Sequence, residues 1–252
     1  MNTYTKNLDR IEFVVTYACS GRCRHCSEGE HISSGEHIDG DKAAEIVRKV
    51  SENYKINSLM TFGGEPLLYP EAVCKIHSAA RDMGIPERTI ITNGFFSRDT
   101  GRINSAAGEI VQSGVNDILL SVDAFHQETI PIEPVMEFAK AAINAGGPRL
   151  RAHPAWLVSE NADNPYNNKT REILSEFQAV GIEVSEGNVI FPSGNALKYL
   201  KEYFSPDVSY ENPYAEDPQN IRTISVSPNG DVLDGNIYKT DILEILENYA
   251  PV

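Results

Sequence analysis

The chain is poor in cysteine and has no long apolar run, and each shortage excludes a class of protein. Only 4 of its 252 residues are cysteines, and three of them, Cys19, Cys23 and Cys26, fall close together. A secreted disulfide scaffold needs cysteine pairs spread along the chain, so that class is excluded. No uncharged stretch approaches the ~20 apolar residues of a membrane span. The first residues, MNTYTKNLDR, lack the basic and apolar regions of a signal peptide, and we expect a cytoplasmic protein.

Positive charge is scarce as well. The chain has 22 Lys and Arg against 36 Asp and Glu, which gives a formal net charge of −14. The electrostatic field of this net charge repels phosphate backbones and anionic lipids, so we expect neither nucleic acid nor a membrane as partner. Hydrophobic residues make up 41% of the chain, which is typical of an ordinary globular protein.

Apolar runs rich in β-branched residues alternate with amphipathic segments along most of the chain. This alternation predicts six strands separated by helices, for which parallel pairing through right-handed crossovers is expected. The predicted strands cover 11–17, 58–62, 88–92, 115–122 and 149–158, and a strand pair or a single strand is predicted within 182–191. The predicted helices cover 39–54, 70–83, 99–113, 132–145 and 169–180, and Asp39 is expected to cap the first of them. Six units favour an α/β fold of the open, partial (βα)6 TIM-like barrel type over residues 1–204.

The remaining residues, 205–252, have a different pattern. Residues 205–220 are rich in Pro, Asn, Asp and Tyr and predict a linker loop, whose acidic stretch from Asp207 to Asp217 could receive a basic peptide. A strand at 222–226, a turn at 228–231 and a partner strand at 232–233 predict a small hairpin, which a helix at 241–248 follows. We therefore expect a small C-terminal unit at 205–252.

Polar residues follow the first four predicted strands at the point where each strand ends. These are the cysteine segment, Gly63-Gly64-Glu65, Asn93 and Asp123. In a barrel of parallel strands the carboxyl ends share one rim, where the chemistry of such folds occurs. The sequence therefore predicts that these residues lie together.

The spacing Cys19-x3-Cys23-x2-Cys26 indicates a metal site, and two kinds remain open. A structural zinc ion has four ligands, and His25 or His31 could add the fourth to three thiolates. In that case the protein would be a zinc-binding interaction module and not an enzyme. A 4Fe-4S cluster is commonly held by four thiolates, so three would leave one iron open to a small molecule with an amine and a carboxylate. The glycine-rich rim fits the second interpretation better, because backbone without side chains lets a ligand approach closely.

Taken together, these residues resemble the radical S-adenosylmethionine (radical SAM) superfamily. The resemblance rests on the cysteine motif, Gly63-Gly64-Glu65-Pro66, Thr92-Asn93-Gly94 and Ser121-Val122-Asp123, in this order over residues 11–192. It implies one 4Fe-4S cluster on the three cysteines, with S-adenosylmethionine on its open iron. It also implies reductive cleavage to a 5′-deoxyadenosyl radical, hydrogen abstraction from substrate, and a one-electron donor of the flavodoxin or ferredoxin type.

The same resemblance implies a set of contacts to S-adenosylmethionine. They are His25 near the adenine, Gly63, Gly64 and Glu65 at the methionyl amine, Ser121 at the carboxylate, and Asn93 and Asp123 at the adenosine and the loops. Many relatives carry an arginine soon after the Ser-Val-Asp strand, and this chain has none there. Arg151 or His153 could replace it, because strand alternation aims both to one side.

Two further features bear on the substrate. Segments 191–196 and 224–237 look like the start of a SPASM or twitch domain, but they lack the cysteines that ligate auxiliary clusters, and Asp234 stands about where the first would fall. This likeness favours a peptide or protein substrate, with a small metabolite or cofactor precursor as the alternative. Cys74, on a predicted helix, is expected to fill the core, with a role as hydrogen donor to a substrate radical as the minor hypothesis.

Overall fold

The computed structural model describes residues 2–30, 35–205, 210, 212 and 215–251. His31, which the sequence offers as a zinc ligand, lies outside these residues. So do Asp207 and Glu211 of the acidic stretch, so the idea that this stretch receives a basic peptide stays a prediction.

The core of the molecule is a seven-stranded sheet in which all neighbouring strands are parallel. Its strands are β1 (Arg10–Val14), β2 (Ser58–Phe62), β3 (Glu87–Thr92), β4 (Asp117–Ser121), β5 (Arg149–His153), β7 (Glu183–Val184) and β9 (Thr223–Val226). They lie in the order β7-β5-β4-β3-β2-β1-β9, so consecutive strands are neighbours over most of the sheet. The sheet confirms the expected partial TIM-like α/β fold.

Helices connect the strands, and two short strand pairs lie outside the main sheet. The helices are α1 (Gly40–Asn53), α2 (Pro70–Asp82), α3 (Thr100–Ser113), α4 (Ala124–Gln127), α5 (Ile132–Gly146), α6 (Pro165–Ala179), α7 (Gly194–Tyr199) and α8 (Ile242–Asn248). The pairs are β6 (Ala155–Trp156) with β8 (Asn188–Val189), which are parallel, and β10 (Asp231–Val232) with β11 (Gly235–Asn236), which are antiparallel. None of the helices within the described residues is long and apolar enough to cross a bilayer.

The two faces of the sheet differ because side chains alternate along each strand. One face carries fully buried residues, such as Ile11 and Phe13 of β1, which pack in one core with Ile46 and Val47 of α1. The other face, called the open face below, is half-buried and carries charged, polar and apolar side chains. Its members include Arg10, Glu12, Met60, Leu119, Arg151 and His153.

Local chemistry explains where the helices begin. The carboxylate of Asp39 accepts from the first backbone N–H groups of α1, as predicted, and Asp99 caps α3 in the same way. Helix α6 begins at Pro165, earlier than the predicted 169, because Asn164 caps it and proline suits the first helical position. The short helices α4 and α7 were not predicted, since four and six residues are too few for a helical pattern.

Two strand predictions were wrong. The segment predicted as one strand over 149–158 is interrupted at Pro154, which has no backbone N–H for a ladder, and β6 pairs with β8 instead. The predicted hairpin between 222–226 and 232–233 does not form. Strand β9 instead pairs in parallel with β1 at the edge of the main sheet, while β10 turns back on β11. The tail therefore supplies a seventh strand to the sheet.

Candidate active site

The three clustered cysteines lie on the segment that follows β1 at the carboxyl edge of the sheet, called the cysteine loop (residues 15–30). The backbone N–H of Gly21 donates to Cys19 Sγ at 3.3 Å, and backbone N–H groups of Glu28 and Gly29 donate to Cys26. All three are free thiols, and Cys23 is buried. Backbone donors aimed at cysteine sulfurs are a feature that tunes iron–sulfur clusters.

The ionisation of these thiols also fits a metal centre. Burial raises the pKa of Cys19 to about 12, with Glu65 adding to the effect, and burial raises the pKa values of Cys23 and Cys26 as well. Buried thiols of this kind become thiolates when a bound cation compensates their charge. The donor set on the loop therefore suits a metal cofactor better than a reactive free thiol.

Gly63 and Gly64 bring the end of β2 against the cysteine loop. The N–H of Gly64 donates to the Thr16 carbonyl, and the N–H of Glu65 donates to the Ala18 carbonyl, both at 2.8 Å. Gly63 has a φ of +140°, and a Cβ on Gly64 would overlap the Ala18 carbonyl oxygen. The structure thus gives these glycines a role that the sequence did not predict, which is close contact with the cysteine loop itself.

Glu65 is fully buried and joins β2 to β3. Its Oε1 accepts from the Leu67 N–H (2.9 Å) and the Thr92 hydroxyl (2.6 Å), and its Oε2 accepts from the Asn93 N–H (2.8 Å). Burial raises the pKa of Glu65 to about 7, although these three donors oppose the shift. Among the described residues Oε2 accepts from the Asn93 N–H, and it keeps a lone pair for a ligand amine.

Asn93 connects this carboxylate to the first cysteine. Its Nδ2 donates to Cys19 Sγ at 3.5 Å and to Ser20 Oγ at 3.2 Å, while its Oδ1 accepts from the Phe95 N–H. The structure therefore brings together Cys19, Glu65 and Asn93, which the sequence predicted to share one rim.

A second group surrounds Asp123, directly after β4. Its Oδ1 accepts from the backbone N–H of Phe125 and of His126, and its Oδ2 accepts from His126 Nδ1 (2.8 Å) and the Ala155 N–H (3.0 Å). Burial alone would raise the pKa of Asp123, but the charge and hydrogen bonds of His126 outweigh it and hold the pKa below its ordinary value. Because the carboxylate is ionised it can only accept, so His126 Nδ1 is the donor.

His25 lies beside this carboxylate group. Its ring centroid is 5.0 Å from that of Phe125 and 4.8 Å from that of His126. Burial lowers the pKa of His25 to about 4, and its buried Nδ1 has no hydrogen-bond partner in the part of the chain that the structure describes. Sequence reasoning missed His126, because the four-residue helix that places it beside Asp123 is too short to show a helical pattern in the sequence.

The candidates for the methionyl carboxylate stand on β4 and β5. Ser121 lies opposite His153 in the register, at the carboxyl edge, whereas Arg151 lies two residues further back opposite Leu119. The Nη2 of Arg151 donates to both oxygens of Asp117, at 2.8 and 2.7 Å. His153 and Arg151 share the open face as alternation predicted, but a partner for the carboxylate stays a prediction.

Cys74 lies on α2, away from the cysteine loop in the sequence and on a different element. It is half-buried against the main core, with Ser113 at the end of α3 as a hydrogen-bonding neighbour. Burial raises the pKa of Cys74 to about 11. These surroundings suit the predicted core role, and the donor hypothesis stays untested.

The site favours a cluster over a single zinc ion on three thiols. Among the described residues, the compact set of donors is Cys23, His25 and His126, whose ligand atoms lie within 4.8 Å of one another, and not the three cysteines. Cysteines that hold a cubane bind different irons and stand farther apart than cysteines that share one zinc ion. The fold and site thus define a partial-barrel enzyme with an iron–sulfur cofactor at the carboxyl edge of its sheet.

Comparison with known proteins agrees with this class. Residues 13–153 match the sequence profile of the radical SAM superfamily, which is more than half of the chain, and the chain belongs to this superfamily. It is a radical SAM enzyme that uses S-adenosylmethionine and a 4Fe-4S cluster, and such enzymes require an electron donor.

Curated proteins of similar sequence include enzymes that are named for a specific reaction. A probable GTP 3′,8-cyclase of Saccharolobus islandicus is 25% identical over 224 residues, which covers 81% of this chain and 67% of that protein. The GTP 3′,8-cyclase of Moorella thermoacetica is 23% identical over 154 residues, 58% of this chain and 46% of that protein.

Solved structures share the fold at low identity. Streptococcus suis SuiB bound to S-adenosylmethionine has a TM-score of 0.58 at 12% identity, over 96% of this chain and 66% of that one. The enzyme anSMEcpe with bound AdoMet has a TM-score of 0.57 at 13% identity, over 95% of this chain and 80% of that one. At these identities the similarity confirms the fold and gives no information about the substrate.

Proposed function

We propose that Cys19, Cys23 and Cys26 hold the cluster and that the rim formed by Gly63, Gly64 and Glu65 binds the methionyl end of S-adenosylmethionine. The observation that carries this proposal is the contact between the two segments, in which Gly64 and Glu65 donate to carbonyls of the cysteine loop. A ligand bound to an open iron on that loop would meet this rim first. The pair of cofactors supplies, when bound, one-electron reductive cleavage to methionine and a 5′-deoxyadenosyl radical.

The chain's own residues then orient and enclose the ligand. Glu65 accepts from the methionyl ammonium through the free lone pair of Oε2, in a site where burial strengthens the charge interaction. Asn93 fixes Cys19 and the end of β3 at the same time. His25 supplies a ring face for the adenine, Ser121 a hydroxyl for the carboxylate, and His153 or Arg151 a further polar group there.

We infer a polar small molecule as the substrate. This inference replaces the peptide predicted from the tail, because the curated relatives that cover most of the chain are named for a reaction of GTP. Two structures of similar fold, SuiB and anSMEcpe, have a bound peptide, but at 11% and 14% identity they support the fold alone. The open face fits a polar ligand, since Arg10 with Glu12 and Arg151 with Asp117 place charged pairs along it.

The test is anaerobic reconstitution of the full chain with iron and sulfide, followed by reduction in the presence of S-adenosylmethionine. We expect 5′-deoxyadenosine in the parent and none in a Cys23→Ala control. Deuterated nucleotide, amino-sugar and peptide pools are then compared for transfer of deuterium into 5′-deoxyadenosine, and we expect transfer from a small-molecule pool. A chain that takes up its cluster yet never yields 5′-deoxyadenosine would contradict the cofactor assignment, and transfer from peptides alone would contradict the substrate class.

A further inference from the structure

Cys23, His25 and His126 form a compact set of donor atoms that the cluster and S-adenosylmethionine do not use as a set. One ligand atom from each lies within 4.8 Å of the other two. Two of the residues come from the cysteine loop and the third from α4, so the group forms only in the folded chain. A thiolate with two imidazoles is a donor combination that zinc and similar divalent ions prefer.

Asp123 orients the His126 ring for binding such an ion. The carboxylate is fully buried and held by backbone N–H groups of Phe125, His126 and Ala155, so its position is fixed. It accepts the proton of His126 Nδ1 at 2.8 Å, and in the neutral ring this leaves the lone pair on Nε2. A carboxylate behind a histidine is the arrangement that orients metal-binding imidazoles and raises their basicity.

His25 supplies the second, independent observation. Its Nδ1 is buried and has no hydrogen-bond partner among the described residues, which is costly unless a ligand satisfies the atom. The ring is held against Phe125 and His126, with centroids 5.0 and 4.8 Å away. Both imidazoles are therefore fixed beside the Cys23 thiol.

We propose that the cluster-free chain binds one zinc-class divalent ion through Cys23 Sγ and one nitrogen each of His25 and His126. Bond lengths of ~2.0 Å to nitrogen and ~2.3 Å to sulfur bring tetrahedral donors to within roughly 3.3–3.6 Å, so the three atoms need to close by about 1 Å. A water molecule completes the fourth position. Cys19 and Cys26 stay outside this site.

The zinc form and the cluster form exclude each other because both need Cys23. This competition rests on the proposed role of Cys23 in the cluster, whereas the metal site itself does not. Zinc held at Cys23, His25 and His126 leaves two thiols for iron, and cluster assembly then has to wait until zinc leaves.

The experiment is titration of the full-length, cluster-free chain with Co²⁺ under reducing conditions, followed by displacement with Zn²⁺. We expect one Co²⁺ per chain, with the absorption of four-coordinate cobalt and a thiolate charge-transfer band. Cys23→Ala abolishes the thiolate band, and His126→Gln and His25→Phe each weaken binding by more than about tenfold. His25→Phe keeps an aromatic ring against Phe125, so it separates loss of a donor from loss of packing.

Cys19→Ala and Cys26→Ala are the matched controls, since each removes a neighbouring thiol that lies outside the proposed site. We expect both to keep the cobalt spectrum and the affinity. The proposal is overturned if either control abolishes the spectrum, if both histidine variants bind as tightly as the parent, or if no cobalt binds. Because this readout needs neither iron nor S-adenosylmethionine, its outcome is separate from that of the 5′-deoxyadenosine assay.

Discussion

At the scale of single residues, Glu65 places a carboxylate where water cannot reach it. Its pKa of about 7 lies above the ordinary value of 4.5, so the folded chain keeps a proton that the unfolded chain releases between these two values. Stability therefore falls as the pH rises through this window, by up to about 3 kcal/mol from this group.

Glu65→Gln tests this effect. The amide leaves one buried donor, the Thr92 hydroxyl or an N–H of Leu67 or Asn93, without its acceptor, which costs about 1–3 kcal/mol near pH 5. We expect the stability difference between parent and variant to shrink as the pH rises to about 7.5, because the variant has no carboxyl to ionise. Urea unfolding of both cluster-free proteins measures it. A difference that is the same at both pH values would contradict the prediction.

The register of β4 and β5 separates the two candidates for the methionyl carboxylate. Both side chains already have polar partners, Ser185 and Asn188 for His153 and Asp117 for Arg151, but His153 lies opposite Ser121 at the rim and Arg151 lies two residues further back. We expect His153→Gln to weaken S-adenosylmethionine binding to the reconstituted protein by about tenfold, which corresponds to the loss of one hydrogen bond to a charged group. Arg151→Gln should have the smaller effect. Equilibrium dialysis measures both, and the reverse order would assign the carboxylate to Arg151.

At the scale of elements, the contact between the end of β2 and the cysteine loop depends on Gly64. A Cβ there would meet the Ala18 carbonyl, so Gly64→Ala should push the two segments apart and lower the iron bound per chain after reconstitution. Gly108→Ala is the control, because its Cβ has open space in the middle of α3 and should stabilise the helix by about 1 kcal/mol. Iron content after reconstitution and thermal unfolding are measured for both variants. Full iron content in Gly64→Ala would show that the contact is dispensable.

The elements also show what the sequence could and could not predict. Periodicity and the capping residue Asp39 predicted the βα units well, because these signals are local. Motif order predicted that Cys19, Glu65 and Asn93 share a rim. Pairing of β9 with β1 could not be predicted, since its partner lies about two hundred residues away, and neither could the capture of His126 by Asp123 in a four-residue helix.

At the scale of the whole molecule, the tail packs into the same core as the barrel. Ile224 and Val226 of β9 are fully buried in the main core, together with Leu246 of α8. The boundary predicted at residue 205 is thus crossed by the sheet itself.

We expect one cooperative unfolding transition, because β9 shares its hydrogen bonds with β1. Ile224→Ala should lower the free energy of unfolding of the entire chain by about 2–4 kcal/mol through lost burial and a cavity. Ser225 is the next residue of β9 and is exposed, so Ser225→Ala should change the free energy of unfolding by less than about 0.5 kcal/mol. Urea unfolding followed by far-ultraviolet circular dichroism and by tryptophan fluorescence measures both. Two separate transitions, with only the smaller one shifted by Ile224→Ala, would indicate independent domains.

The pairing of β1 with β9 also sets an order of events during synthesis. The ribosome makes β1 and the cysteine loop roughly two hundred residues before β9, so the edge of β1 that pairs with β9 stays without its neighbour until β9 has emerged. An unpaired strand edge is a template for association with other chains. The segment that carries the three cysteines is therefore most exposed to other chains, and to stray metal ions, in the nascent protein.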